Sequence, residues 1–386
     1  MRDGLIAAVG TRGKIEGLPD AAGAEKLDVG GRVVLPGFVD SHTHLIHAAS
    51  RAEEYELKIE GASYEEIARK SGGILNSVKK LRAATSEALK LRARRALVQF
   101  AAYGTTTVEA KSGYGLDVAS ELKILRLHKE LAAEQPLDVV STFLGAHVVP
   151  AEYRGTPTGV KAYIALLTEK LIPEVAQEKL AEFCDVFCDR GAFTREQAKQ
   201  ILEAGKRHGL VPRVHAEQLT RSGATQLAIK LGAASSDHLE QVNSNDIAAL
   251  GKSQTVATLL PGCDFHLGLA KYAPARKLID GGAIVALATD YNPGTSPTMS
   301  MPMILSLACS ALRMTPAEAI TAATINAAYA LRREKHIGSF GVGKLADLAV
   351  FELADYREIP YYFGMNTCWL TMKRGVVVHA ANKTTI

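Results

Sequence analysis

Val34-Leu35-Pro36-Gly37-Phe38-Val39-Asp40-Ser41-His42-Thr43-His44 runs from apolar, partly β-branched residues into an acid and then two histidines. That pattern reads as a buried strand ending in a polar cup. Along an extended segment residues two apart project to the same face, so both imidazoles point at one position beyond the strand end. His42 and His44 are therefore a candidate metal pair, imidazole being a common ligand of zinc and related ions. A His-x-His pair alone describes two surface-loop histidines equally well. The rest of the chain decides between these readings.

Toward the amino terminus, residues 1–33 hold short apolar runs broken by Gly and Pro, which suggest small antiparallel strands rather than helices. Toward the carboxyl terminus, residues 62–103 are helical by period and composition and stop at Gly104. GTTTVEAKSGYG then reads as a strand with a Gly-rich loop, and LDVASELKILRLHKELAAEQ as an amphipathic helix. Further candidate strands lie at 137–149, 183–189, 210–217, 233–239, 255–260 and 283–290. Between them stand helical patterns such as TREQAKQILEAGKRHG, SGATQLAIKLG and APARKLIDGG, several opening on Thr or Ser and closing on Gly. Counting the two earlier strands gives eight β units, each followed by a helix. Such alternation implies a parallel sheet with right-handed crossovers, and eight units match a closed (β/α)8 barrel in number and length. An open doubly wound sheet is the competing arrangement.

A last helix, TPAEAITAATINAAYALR, precedes IGSFGVGKLADLAVFEL and CWLTMKRGVVVHA, which read as strands again. The expected fold is α/β, a (β/α)8 TIM-type barrel over residues 34–333. Residues 1–33 and 334–386 together are expected to form a small accessory β-sandwich domain.

Composition narrows the function classes. With 386 residues, 47% hydrophobic and 22% charged, the chain can bury a large core, which excludes disordered and fibrous architectures. A net charge of +4 without a basic run gives no electrostatic support for nucleic acid or membrane-surface binding. No run approaches eighteen apolar residues and MRDGLIAAVG lacks the features of a signal peptide, so a soluble, cytoplasmic protein is expected. Cys184, Cys188, Cys263, Cys309 and Cys368 form an odd, scattered set that fits reduced thiols. The Cys184/Cys188 pair has no second Cys or His pair beside it, so a structural zinc is not expected there. The expected partner is a small-molecule substrate, and a homodimer is the one assembly left open.

Barrel sites sit at the carboxyl ends of the strands. The first strand ends in His42 and His44, the third in His147, the fifth in His215, the sixth in His238 and the eighth in Asp290. Five of eleven histidines and one acid thus share one mouth, which makes chance placement a repeated coincidence. His128 and His208 fall within or at the end of helices, and His336 and His379 belong to the tail, so these four read as solvated or structurally paired. His47 and His266 lie in loops near the mouth, and either role fits them.

PGFVDSHTH, with a lone His ending strand five and an Asp ending strand eight, resembles the amidohydrolase superfamily of metal-dependent barrel hydrolases. Within it, SRAEEYELKIEGASYEEIARKSGGI, GTTTVEAKSGYGLD, the GAH of strand three, VHAEQL and ATDYNPGTSP resemble the imidazolonepropionase family of histidine degradation. The likeness spans essentially the whole chain. The chain begins later than that family leads one to expect, implying a shortened amino-terminal part of the accessory sheet. Gln218 stands where some family members carry Glu.

The chemistry follows from residue types checked against that resemblance. His42, His44, His215 and Asp290 make a three-nitrogen, one-oxygen set suited to one zinc or iron ion, divalent or trivalent, with room for a water. The strand-four segment FCDVFCD offers no lysine to bridge a second ion, so a mononuclear site is expected. The implied reaction is opening of the ring amide of imidazolonepropionate to N-formimidoylglutamate by a metal-activated water. Asp290 is the expected proton acceptor, and His238 orients the water and stabilises the oxyanion. The resemblance places Arg51, Tyr114 and His147 around the substrate, and an arginine fork suits a carboxylate. Asn292, Gly294 and Thr295 would line the other side, although NPG is also an ordinary turn signal. Gln218 could hydrogen-bond the ring but cannot serve as a base. Two other readings compete: a deaminase of a nitrogen heterocycle using the same metal set, and a non-catalytic barrel acting as a scaffold.

Overall fold

Gly37 divides the strand expected at residues 34–44 into two strands of different sheets. In the computed structural model, which describes residues 1–61 and 72–381, Val33–Pro36 (β1) pairs antiparallel with Leu348–Phe351 near the other chain end. Phe38–Asp40 (β2) instead enters a parallel sheet beside Thr105–Lys111 (β3). The hand-over brings backbone against side chain: a Cβ at Gly37 would lie 2.3 Å from Thr106 Cγ2, so only glycine fits.

The parallel sheet continues through Asp138–Ala146 (β4), Phe183–Cys188 (β5), Val211–Ala216 (β6), Ser235–His238 (β7), Val256–Leu259 (β8) and Val285–Leu287 (β9), in chain order. These are the eight expected barrel strands. The first and last meet beyond their ends, where Asp290 N donates to His42 O (3.1 Å), His44 N to Tyr291 O (2.8 Å), and Thr43 bridges Tyr291 in parallel. Below this seam the buried Asp40 carboxylate accepts from Thr289 N (3.1 Å) and Thr289 Oγ1 (2.6 Å). Closure therefore aligns His42, His44 and Asp290 directly, which an open sheet would not do.

Helices cover the outer face. Ser86–Ala102 buries Leu89, Ala93, Ala96, Leu97 and Phe100, spaced at helical period; each large apolar side chain so buried contributes roughly 1.5–3 kcal/mol. The helix expected over 62–103 is broken in its described part: Ile74–Ala83 ends before Ala84, and Thr85 caps the next helix by accepting from Ala88 N at 3.3 Å. Residues 62–71 lie outside the described residues. The last helical stretch is likewise two short helices, Pro316–Ala322 and Ile325–Ala330, the first held by a Thr315/Glu318 capping box.

The accessory unit from both chain ends is a four-stranded antiparallel sheet in the order β1, Leu348–Phe351 (β10), Cys368–Lys373 (β11), Val376–Ala380 (β12). It leans on the barrel through Thr371 Oγ1, which donates to Ala101 O at 2.7 Å, and through the Phe38–Phe351 ring pair at 5.7 Å. Residues 1–32 depart from the strands expected there. They carry a short helix, Arg12–Glu16, with no buried residue, and meet the carboxyl-terminal segment through the Leu5–Leu345 bridge, the hydrogen bonds of Gly4 and Ile6 with residues 343–346, and Arg32 over Trp369. Runs broken by glycine every few residues are too short to sustain a ladder. We propose Gly37, rather than residue 33, as the amino-terminal boundary of the barrel.

Candidate metal centre and active site

Successive side chains of a strand alternate between faces, so the inward set can be read by parity. On β2 and its extension Asp40, His42 and His44 face inward, on β3 Glu109 and Lys111, and on β6 Arg213 and His215. Side-chain contacts across the barrel axis confirm the assignment: His42 Nδ1 lies 2.7 Å from Asp237 Oδ2, and Lys111 Nζ lies 2.8 Å from Asp185 Oδ2.

One ring nitrogen from each of His42, His44 and His215 lies within 4.8 Å of the others, and all three residues are buried. Asp290 Oδ1 lies 3.5 Å from His42 Nε2 and 3.6 Å from His44 Nε2. Nδ1 of His42 is taken by Asp237, and Nδ1 of His215 lies 3.1 Å from Asp185 Oδ2. Nε2 of both rings is then left buried and without a partner, as is Asp290 Oδ1. Unpaired buried donors are costly, and here they face one another. Burial, aided by the Lys111 charge, holds His42 well below its ordinary pKa, and burial with the His147 neighbour does the same for His44. Neutral imidazoles with free lone pairs are the form a metal requires. The four residues fit one ion.

Beneath the donors lies a layer of buried ions. Lys111 Nζ sits 2.9 Å from Glu109 Oε1 and 2.8 Å from Asp185 Oδ2. Arg213 Nη2 donates to Ser41 O (2.7 Å) and Asp237 Oδ2 (3.2 Å). Glu109 also accepts from Thr43 N at 3.1 Å, between the two β2 histidines. Lys111 thus stands at the end of β3 with its amine held by carboxylates, which suits a mononuclear site.

His238 ends β7 with its ring centroid 5.7 Å from His42 and 5.5 Å from His215. Asp237 already faces inward, and a regular pleat would turn the next residue away. His238 has φ 83° instead, and Asp290 has φ 53°. Each such non-glycine conformation costs about 1–3 kcal/mol and is retained where it re-aims a functional side chain.

The expected substrate residues gather above. Tyr114 is buried with its ring 5.6 Å from His44 and 5.5 Å from His147, and burial pushes its phenol well above the ordinary value, so it stays a donor. His147 stacks on His44 at 5.1 Å and directs Nδ1 at Gly113 O, 3.1 Å away. Arg51 directs Nε at Glu54 Oε2 (2.8 Å), while its Nη1 crosses Gly294 so closely that a Cβ there would lie 2.2 Å away. Asn292 is hydrogen-bonded within its own loop. Its Nδ2 donates to Asp290 O (2.7 Å) and Thr295 Oγ1 (2.9 Å), and its Oδ1 accepts from Gly294 N and Thr295 N (2.8 Å each). The amide is used up in shaping its own loop, as the turn signal implies. Gln218 is half-buried at the rim, Nε2 3.6 Å from Cys263 Sγ.

The remaining histidines divide as their positions suggest. His47 is buried against Tyr291, its Nδ1 3.3 Å from His44 O, with burial lowering its pKa to about 4. His266 stacks on Tyr55 at 4.6 Å. His128 pairs with Ser141 Oγ at 3.1 Å.

Three buried acids escaped sequence reasoning. Glu121 accepts from Gly113, Gly115 and Leu116 N–H groups and so holds the loop carrying Tyr114. Glu217 accepts from Gly223, Ala224 and Thr225 N–H groups, capping the helix Ala224–Leu231 in place of the expected Ser or Thr. Asp189 holds Leu219 and Thr220 next to Gln218. Charged residues inside otherwise apolar strands, such as Glu109, Lys111 and Arg213, were the available signal for the layer beneath the metal.

Residues 33–378 match the model of the Amidohydrolase family. An imidazolonepropionase of Geobacillus sp. strain WCH70 is 47% identical over 380 residues, covering 98% of this chain and 89% of that protein. The imidazolonepropionase of Solibacter usitatus is 49% identical over 365 residues, 94% of this chain and 86% of its own. Among solved structures, 5-methylcytosine deaminase from Klebsiella pneumoniae with 5-fluorocytosine superposes with TM-score 0.75 at 18% identity, covering 100% of this chain and 94% of that one. A likeness at that identity speaks for the fold alone.

Proposed function

The chain belongs to the amidohydrolase family and groups within it with the imidazolonepropionases, and from that premise we propose how its residues open a cyclic amide. The reaction is hydrolysis of the ring amide of 4-imidazolone-5-propanoate to N-formimidoyl-L-glutamate in histidine degradation. A zinc or iron ion held by His42, His44, His215 and Asp290 would supply Lewis acidity, generating a nucleophilic hydroxide near neutral pH and polarising the carbonyl. Asp290, whose carboxylate faces both β2 histidines, takes the proton of the attacking water. His238, across the mouth, donates to the oxygen on which negative charge develops. The ring carbon–nitrogen bond breaks, and the proton reaches the leaving nitrogen through the Asp290/His238 pair.

Arg51 binds the propionate, with Tyr114 and His147 flanking the ring. Gln218 offers an amide to the ring heteroatoms. Gly294 and Thr295, shaped by Asn292, form the opposite wall. A fixed guanidinium separates this reading from a deaminase of a bare heterocycle, which has no carboxylate to hold. The five unpaired cysteines support a cytoplasmic location.

The observation that carries the reading is the meeting of three buried histidines and Asp290, with His42 Nε2, His215 Nε2 and Asp290 Oδ1 unpaired, at the mouth of a chain 47% identical to an imidazolonepropionase along nearly its full length. The test follows the ultraviolet absorbance of imidazolonepropionate with and without added metal. Metal-dependent ring opening is expected; metal-loaded protein that leaves the absorbance unchanged overturns the assignment.

A further inference from the structure

Glu240 stands in the wall of the mouth without a role in the steps above. It is 2% exposed, and among the described residues neither carboxylate oxygen has a hydrogen-bond partner. A buried carboxylate is costly unless something nearby answers its charge. The group that faces it is His238, whose Nδ1 lies 3.6 Å from Glu240 Oε1. Two consecutive left-handed residues, His238 at φ 83° and Leu239 at φ 76°, turn the chain sharply enough to bring side chain 240 beside side chain 238. Leu239 N to Ala216 O (3.1 Å) and Gln241 N to Glu217 O (2.8 Å) peg this turn on both sides. The juxtaposition is therefore built into the backbone.

We propose that Glu240 is the positioning residue of His238, accepting a hydrogen bond from Nδ1–H so that Nε2 is the nitrogen presented to substrate. The inference rests on the role given to His238 above. The Glu240 charge beside Nδ1 favours the imidazolium, whose Nε2–H can donate to the oxygen on which negative charge develops and then pass its proton toward the leaving nitrogen. At 3.6 Å the two groups are at ion-pair distance, and the proposed hydrogen bond requires them to close slightly as substrate binds. A second buried acid, Asp264, does not compete for this role. Burial first, and the Glu240 charge second, raise its pKa, and it is Glu240, not Asp264, that lies within ion-pair distance of His238.

The test uses the metal-loaded full chain and imidazolonepropionate. Glu240→Gln preserves shape and removes the charge; kcat is expected to fall about 10- to 100-fold, with KM, metal content and melting temperature near those of the unaltered protein. In a His238→Ala background the same substitution should change kcat by less than about 2-fold, because a residue acting only through His238 has nothing left to act on. Glu240→Asp, which keeps the charge, should recover part of the loss. Multiplying losses in the double variant, unchanged kcat in Glu240→Gln, or loss of metal with activity each overturn the proposal. Should Glu240→Gln fail to fold, Glu240→Asp in both backgrounds supplies the same comparison. An inactive unaltered protein would instead overturn the ring-opening reading itself.

Discussion

Gly294→Ala tests the Arg51 clamp without touching Arg51. A methyl group at 294 would stand 2.2 Å from Arg51 Nη1 and 3.1 Å from Cζ, so the guanidinium must move. Gly294 does not have a positive φ, so alanine introduces no backbone strain there. The displaced atoms are the far end of a flexible side chain, and the fold should keep its melting temperature. What is lost is the alignment of the fork with a carboxylate. A charge-assisted hydrogen bond of roughly 1.5–3 kcal/mol corresponds to about a 10- to 150-fold fall in kcat/KM. Steady-state kinetics on imidazolonepropionate, with metal content measured in parallel, provide the assay. Arg51→Lys should cost a similar factor, since an ammonium cannot reproduce the fork. Combining the two should cost little more than either, because both remove one contact. An alanine variant with unaltered kcat/KM, or full multiplication of the two losses, would refute the clamp.

His215→Ala removes one of three nitrogens, and metal content and turnover should fall together; full activity in a metal-free preparation of this variant would rule out the single-ion site. Asp237→Asn leaves the four donors in place but removes the charge beside His42 Nδ1 and Arg213. Metal affinity, measured by competition with a chelator, should weaken about 10- to 100-fold, and an unchanged affinity would show that the layer beneath the ligands does not orient them.

Most of the barrel was legible because each strand announces itself by an apolar run bounded by turn residues, and most of the mouth because functional groups stand at strand ends. His42, His44, His215 and Asp290 were singled out this way, and the fold brings their side chains together. The break at Gly37 was not, since VVLPGFVD has no change of period where β1 leaves one sheet and β2 enters another; only the approach to Thr106 reveals it. For Asn292 the sequence leaves two roles open for a related reason: an amide that binds substrate and one that closes its own loop look identical until its hydrogen bonds to the loop are seen. Glu121, Glu217 and Asp189 were invisible because an acid at a helix start or in a loop reads as solvated. Their burial depends on distant segments folding over them.

The buried ions below the metal residues call for a reason other than stability. A buried ion pair is often no better than apolar residues of the same volume, and Glu109, Lys111, Asp185, Arg213 and Asp237 are all fully enclosed. Their arrangement supplies the reason. His42 and His215 each meet a carboxylate at Nδ1, and those carboxylates are in turn held by Arg213 and Lys111. The rings can then present only Nε2 to the mouth. Three carboxylates against two cations also leave one negative charge in the layer beneath the donors. Inside a low-dielectric barrel that surplus favours a cation directly above it. Orientation and charge thus come from the same residues, with Asp185 and Arg213 one inward-facing position below His215 and Asp237 level with it. This explains why the barrel tolerates ions where a purely structural barrel would place valine or isoleucine.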